Sequence, residues 1–187
     1  LELMPKHVEN KSIDMIFCDL PYGTTQCKWD SVIDLPKLWS EYKRVIKDNA
    51  AIVLFASQPF TTTLISSNLK MFRYELIWDK IRSATGLNAK RMPMKTHENI
   101  CVFYKKPPTY NPQMTEGKPF DKTKYNGQLE LANVTGGGIK KSKKNNGTRY
   151  PISIHRHSQN WKRQDQIHPT QKPLSLIEYM IKTYTNE

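Results

Sequence analysis

Four consecutive residues, Asp19-Leu20-Pro21-Tyr22, combine a carboxylate, a carbonyl whose direction is set by the following proline, and an aromatic ring. That set suits the activation of an exocyclic amine. The lone pair of such an amine is delocalised into its ring, so acceptors must orient the N–H groups and draw the nitrogen toward tetrahedral geometry. Asp19 can be one acceptor. The Leu20 carbonyl can be the second, because Pro21 fixes its own φ and biases Leu20 to an extended backbone. Tyr22 then offers a flat face on which a base taken out of a duplex can stack. Neither a metal nor a covalent intermediate is needed, since the work is orientation and electrostatics.

The elements around the tetrapeptide give it a place. Ser12 to Cys18 (SIDMIFC) reads as a buried strand ending at the tetrapeptide, and open α/β sheets hold ligands at the carboxyl ends of their strands. Leu35 to Lys47 has helical spacing, with Pro36 tolerated in the first turn. Ala50 to Ala56 is a continuous apolar run of strand length and Phe60 to Leu69 a second helix, so the order predicts a parallel α/β sheet. Arg73 to Asp79 and Asn99 to Lys105 add two strands around a basic loop, Lys80 to Glu98. From Pro107 to Gln166, prolines, glycines and a Lys/Asn/Gly tract predict an irregular insertion. Leu174 to Thr183 is an amphipathic helix preceded by His168-Pro169-Thr170-Gln171-Lys172-Pro173.

The tetrapeptide resembles the Asp-Pro-Pro-Tyr motif of the amino-methyltransferases that act on N6 of adenine and N4 of cytosine. His168 to Pro173 resembles the segment preceding their helix at the cofactor pocket. In this order, with a basic insertion and His97-Glu98-Asn99-Ile100-Cys101-Val102-Phe103 between them, the motifs are similar to the beta-ordered group of that family over nearly the whole chain. The resemblance implies a Rossmann-like methyltransferase sheet, here partial, using S-adenosyl-L-methionine on double-stranded DNA. It makes Asp19, Leu20, Pro21 and Tyr22 the catalytic set, and Asp19, His168, Thr170 and Lys172 the cofactor-binding set. N6 of adenine is favoured over N4 of cytosine, because Asp in first place is more typical of N6 enzymes and Ser of N4 enzymes.

Two departures from the family pattern carry expectations of their own. Leu20 replaces the first of the two prolines, a position that acts through its carbonyl and so tolerates the change. The Gly-rich cofactor loop of the form Asp-Pro-Phe-x-Gly-x-Gly, which in this order follows the last helix, does not occur in the 187 residues. The 187 residues alone are therefore expected neither to methylate DNA nor to bind the cofactor tightly, and to expose apolar surface along Ser12 to Cys18 and Ala50 to Ala56.

The organisation expected is a catalytic α/β core over 1–106, a target-recognition insertion over 107–166 and a return to the core over 167–187. Charge follows that division. Lys and Arg exceed Asp and Glu by 29 to 17, for a net charge of +12, and the excess is uneven: residues 1–69 carry 7 basic and 8 acidic side chains, residues 107–166 carry 11 and 4. A polyanionic partner is implied, with a basic membrane surface as the weaker alternative. Lys90, Arg91, Lys95, Lys140, Lys141, Lys143, Lys144, Arg149, Arg156, Trp161, Lys162 and Arg163 are the candidates for DNA contact, their cations interleaved with aromatic rings. A solvated, passive loop is the plainer reading of the Lys/Asn/Gly tract.

Three cysteines without paired spacing, and no apolar run of spanning length, point to a reducing cytoplasm, bacterial or phage-infected. A second copy of the chain, or the rest of a longer parent, is the further partner expected. His155 and His157 flank Arg156 but lack a Cys or carboxylate at ligand spacing, so no metal is expected. Glu41-Tyr42-Lys43 falls inside an amphipathic helix and reads as its solvated face. The rival from another class is a DNA-binding module that keeps the fold and basic surface but holds no methyl donor.

Overall fold

A computed structural model of the chain describes residues 1–24, 27, 30–82, 86–120, 144–158, 168 and 170–186. In chain order the elements are α1 (Met4–His7), β1 (Ile13–Asp19), α2 (Leu35–Val45), β2 (Ile46–Ala56), α3 (Phe60–Ser67), β3 (Phe72–Asp79), a 3-10 turn (Gly86–Asn88), β4 (His97–Phe103), β5 (Thr115–Glu116), β6 (Thr148–Arg149), β7 (Ile154–Arg156) and α4 (Leu174–Tyr184). Two compact units result, one of Leu1–Asn111 with Ile152–Glu187, the other of Pro112–Pro151.

The first unit is built on a five-stranded sheet in the order β1-β2-β4-β3-β7. The parallel sheet read from the sequence is mixed. β1 pairs with β2, and β3 with β7, in parallel, whereas β4 runs antiparallel to both β2 and β3. The described part of the connection from β3 to β4 carries only a 3-10 turn, whereas parallel neighbours are usually joined through a crossover helix. β7 lies inside the stretch that the sequence reads as irregular. Three residues flanked by polar loop give no periodic signal, and they become a strand by pairing Ile154, His155 and Arg156 with Ile77, Trp78 and Asp79.

The run over β2 is continuous because both faces of the sheet are covered. Ile52, Leu54 and Ala56 point to one side, into a core with Leu38, Trp39 and Tyr42 of α2, Leu64 of α3 and Phe103 of β4. Ala51, Val53 and Phe55 point to the other, where Leu176, Met180 and Tyr184 of α4 meet Trp78, Ile100 and Val102. The exposure expected along Ala50 to Ala56 does not occur, since every residue there is at most 5% exposed between β1 and β4. β1 is different. It lies at the edge of the described sheet, and Ile13 and Met15 to Cys18 are half-buried.

Helix α2 begins where Asp34 Oδ1 accepts the Lys37 amide at 3.1 Å, with proline in the first turn. It ends two residues before the expected Lys47, as the backbone turns extended at Ile46, which is buried and pairs with Ile13. Trp39 locks α2 to α3 through Nε1 to Ser67 Oγ at 2.7 Å and lies against Phe103 at 4.9 Å.

The second unit centres on the short pairing of β5 with β6. Arg149 closes it, donating to Asn145 Oδ1 at 2.5 Å and to the Lys118 carbonyl, with its guanidinium 4.7 Å from the Phe120 ring centroid.

Candidate active site

Asp19 is the last residue of β1, at the carboxyl end of the β1-β2 pair, opposite Phe55. Leu20 turns its side chain into the core at 4% exposure, which anchors the peptide that precedes Pro21. The loop beyond is held by a residue that sequence reasoning passed over. Asp30, 8% exposed, accepts the amides of Tyr22 at 2.7 Å and Gly23 at 2.9 Å on Oδ1, and of Thr24 at 2.9 Å on Oδ2. Three successive amides around one carboxylate fix the backbone direction from which the Tyr22 ring projects. Gly23 is required there. Its φ is +67°, and a Cβ would meet Val32 Cγ2 at 2.7 Å.

Tyr22 uses both ends of its side chain. One face of the ring stacks on Phe60, with centroids 5.5 Å apart and planes at 24°, and the hydroxyl donates to Asp19 Oδ1 at 2.9 Å. Burial, with the charges of Glu98 and Asp19, raises the phenol far above its usual range, so this hydroxyl stays protonated and donates.

The other oxygen of Asp19 receives Lys172, whose Nζ lies 2.6 Å from Oδ2. Two stretches 153 residues apart thus meet at one carboxylate. The Lys172 side chain is 11% exposed, and its ammonium reaches Glu98 Oε2 at 3.5 Å and sits 5.0 Å from the Phe55 ring centroid and 5.9 Å from that of Trp78. Glu98 in turn takes Lys80 Nζ at 2.5 Å, with both side chains under a fifth exposed. Asp19, Lys172, Glu98 and Lys80 therefore form an alternating chain of charges. Glu98, like Asp30, is a site residue that no motif or spacing marks, although it lies in the HENICVF segment between the two motifs.

A cavity of about 620 Å³ opens beside Asp19, lined by Phe17, Cys18, Phe55, Lys172 and the α4 residues Ile177 and Ile181. Phe17 and Phe55 stack in its wall with centroids 5.3 Å apart. The lining pairs aromatic faces and a carboxylate with an ammonium, a donor set that fits a molecule bearing both a cation and a carboxylate. Thiol chemistry is not served here. Burial raises the Cys18 thiol, and raises that of Cys101 on β4 to about 12.

The remaining candidates fall at several places. His168 Nδ1 lies 3.0 Å from Thr170 Oγ1 and accepts the Thr170 amide at 3.3 Å, a local turn leading to Lys172. Lys95 Nζ donates to Ser57 Oγ at 2.5 Å, just past the end of β2. Lys90 and Arg91 are exposed on the turn after Gly86–Asn88, and Lys144 is exposed in the second unit. Arg149 is occupied inside the second unit, and Arg156 pairs with Asp79 at 3.1 Å on β7. Lys140, Lys141, Lys143, Trp161, Lys162 and Arg163 lie outside the described residues. No cluster of metal ligands occurs among the described residues, and no helix among them is long and apolar enough to cross a membrane.

A family model described as DNA methylase matches residues 13–187. Among solved structures the chain is similar to M1.HpyAVI, determined as its SAM complex, with a TM-score of 0.56 and 18% identity over 99% of this chain and 72% of that one. It is also similar to the PvuII DNA methyltransferase described as cytosine-N4-specific, with a TM-score of 0.58 and 10% identity over 99% and 67% of the two chains. Identities this low carry the Rossmann-like methyltransferase fold and nothing finer.

Proposed function

The chain belongs to the DNA methylase family of N6 and N4 amino-methyltransferases, and on that premise we infer that it moves a methyl group from S-adenosylmethionine to the N6 amine of a flipped adenine in DNA. One observation carries the reading. The Asp19 carboxylate stands at the mouth of an aromatic-walled cavity, held by the Tyr22 hydroxyl on one oxygen and the Lys172 ammonium on the other.

The cofactor, when bound, supplies a methyl group on a positively charged sulfur. Asp19 and the Phe17 and Phe55 rings are the groups that would face that charge, and Lys172 would face the carboxylate at the cofactor's other end. Asp19 accepts from the target amine and, with the Leu20 carbonyl, orients its N–H groups. Tyr22 carries the base on the ring face opposite Phe60, while its hydroxyl keeps the Asp19 oxygen aimed. The ion chain through Lys172 and Glu98 keeps Asp19 in place before substrate arrives, which is the preorganisation that orientation catalysis needs. Lys90, Arg91, Lys95 and the lysines of 140–144 supply phosphate contacts, and region 107–166 supplies target recognition. N4 of cytosine is the second reading, since the matched family takes in enzymes of both kinds.

The two are separated by incubating duplex DNA with the protein and isotopically labelled cofactor, digesting to nucleosides and identifying the labelled product by mass. Labelled N6-methyl-2′-deoxyadenosine is expected. Labelled N4-methyl-2′-deoxycytidine would replace the adenine assignment, and no transfer by the full-length protein under conditions where DNA binds would favour the DNA-binding module.

A further inference from the structure

At the end of the sheet away from Asp19 lies a second recess that the methyl-transfer chemistry does not use. Asp19 pairs with Phe55 at one end of β2, whereas this recess is lined by Ile46, Lys47, Asp48 and Ala50 at the other. The four steps from Ala51 to Phe55 alone separate the two by about 13 Å. Its volume is about 350 Å³, within the range of small-molecule sites.

Six cations, Lys11, Lys43, Lys47, Lys70, Arg73 and Lys105, line it around a single carboxylate, Asp48. They come from four separate stretches of the chain, around residues 11, 43–47, 70–73 and 105, so the clustering is a product of the fold and not of a lysine run. Asp48 is already shared by Lys11 at 2.7 Å, Lys105 at 3.6 Å and Lys106 at 3.9 Å, and its own carboxyl is held below the usual range by them. Lys47 pairs with Asp14. The side chains of Lys43 and Lys70 have no acidic partner among the described residues, which leaves the recess with uncompensated positive charge.

A second, independent observation comes from Asn68, which also lines the recess. It is 7% exposed, and its Nδ2 is buried without an acceptor. The residue is not loosely placed. Its amide donates to the Ile65 carbonyl, and its own carbonyl accepts from both Met71 and Phe72 at 3.1 Å. A buried amide donor without a partner is destabilising, and such groups in folded proteins call for an explanation.

We propose that this recess is an anion site for a small phosphate-bearing molecule of up to mononucleotide size, whose phosphate oxygens accept from Asn68 Nδ2 and pair with Lys43 and Lys70. A free small molecule fits a recess of this size better than the convex backbone of a duplex does. The site is independent of the methyl-transfer reading, since no residue is shared with it.

The test titrates the 187-residue chain calorimetrically with pyrophosphate and with adenosine monophosphate, at constant ionic strength. Saturable binding with a dissociation constant below about 1 mM is expected for at least one probe. Asn68→Asp, which sets a carboxylate against the phosphate, should weaken it at least tenfold. The double variant Lys43→Ala/Lys70→Ala, exposed at both positions and so safe for the fold, should do the same and flatten the salt dependence. No saturable binding of either probe, or equal binding by the lysine double variant, overturns the proposal. A short duplex that displaces pyrophosphate from the wild type would show the phosphate to be a backbone one and overturn the small-molecule assignment.

Discussion

Asp30→Asn is expected to loosen the loop that carries Tyr22 without unfolding the sheet. The native carboxylate serves three amides, two on Oδ1 and one on Oδ2, at 8% exposure. Asparagine has the same shape but one oxygen. With that oxygen kept on Tyr22 and Gly23, the side-chain NH2 faces the Thr24 amide, donor against donor, and an unsatisfied buried amide costs about 1–3 kcal/mol. The two surviving bonds lose their charge assistance, roughly 0.5–1 kcal/mol each. The sum, about 3 kcal/mol, falls on one loop and amounts to about two decades in its opening equilibrium, at about 1.4 kcal/mol per tenfold. Native-state amide hydrogen exchange reads this directly. The Tyr22, Gly23 and Thr24 amides should exchange about a hundredfold faster, while those of Ile52 to Phe55 in β2 keep their protection, because local opening need not pass through global unfolding. Methyl transfer should fall with the loop. Unchanged exchange at the three amides would refute the argument that Asp30 positions Tyr22, and equal acceleration in β2 would show a global role instead.

Asp19→Ala should lower methyl transfer by about a hundredfold or more while duplex affinity, read by titration, stays near normal, since it removes an orienting acceptor and no phosphate contact. Tyr22→Phe, harmless if only the ring mattered, should cost about tenfold in kcat with KM little changed, because the bond from the hydroxyl to Asp19 is lost; Tyr22→Ala should cost more. Lys172→Met leaves Glu98 and Asp19 without a shared cation and should destabilise the fold by about 3 kcal/mol or more in chemical denaturation, with Lys172→Arg restoring much of it. His155 and His157 are held below the ordinary imidazole value by burial, and His155 further by His157. A depressed folded value means stability is full above about pH 6.5 and falls as pH drops through it, so Tm should decline from pH 7.5 to 5.5, and less in a His155→Asn/His157→Asn variant. Neutralising Lys140, Lys141, Lys143 and Lys144 should weaken all duplexes alike and flatten the log-log salt slope by roughly one unit for each phosphate no longer neutralised; unchanged slopes would make the tract a passive linker.

What could be read from the sequence was what is local. β1, α2, β2, α3, β3, β4 and α4 each announce themselves by an apolar period within a dozen residues, and Asp19 to Tyr22 stand out because four contiguous residues combine the groups that the proposed chemistry asks for. What could not be read depends on partners distant in sequence. β7 is a strand only because Trp78 and its neighbours are there to pair with, and the antiparallel sense of β4 follows from a connection whose composition says loop and nothing of direction. Asp30 lies in a stretch without period, and its role is to satisfy backbone donors, which no side-chain pattern reveals.

Lys172 shows how the two levels join. Its motif placed it near the cofactor side of the site, and the structure adds that its ammonium bridges Asp19 and Glu98 beneath the Phe55 and Trp78 rings. Those two rings belong to strands on opposite sides of β4, so the cation rests over the central strands of the sheet, at their Asp19 end. The Lys172 side chain is 11% exposed and that of Asp19 34%, so the pair is shielded on the lysine side, and removing Asp19 leaves an ammonium that the surroundings hydrate poorly. The tetrapeptide proposed to hold the base and the Lys172 segment proposed to face the cofactor are therefore one electrostatic unit. A change on either side is transmitted to the other through a single 2.6 Å contact, which is a physical reason for the two motifs to occur together in one chain.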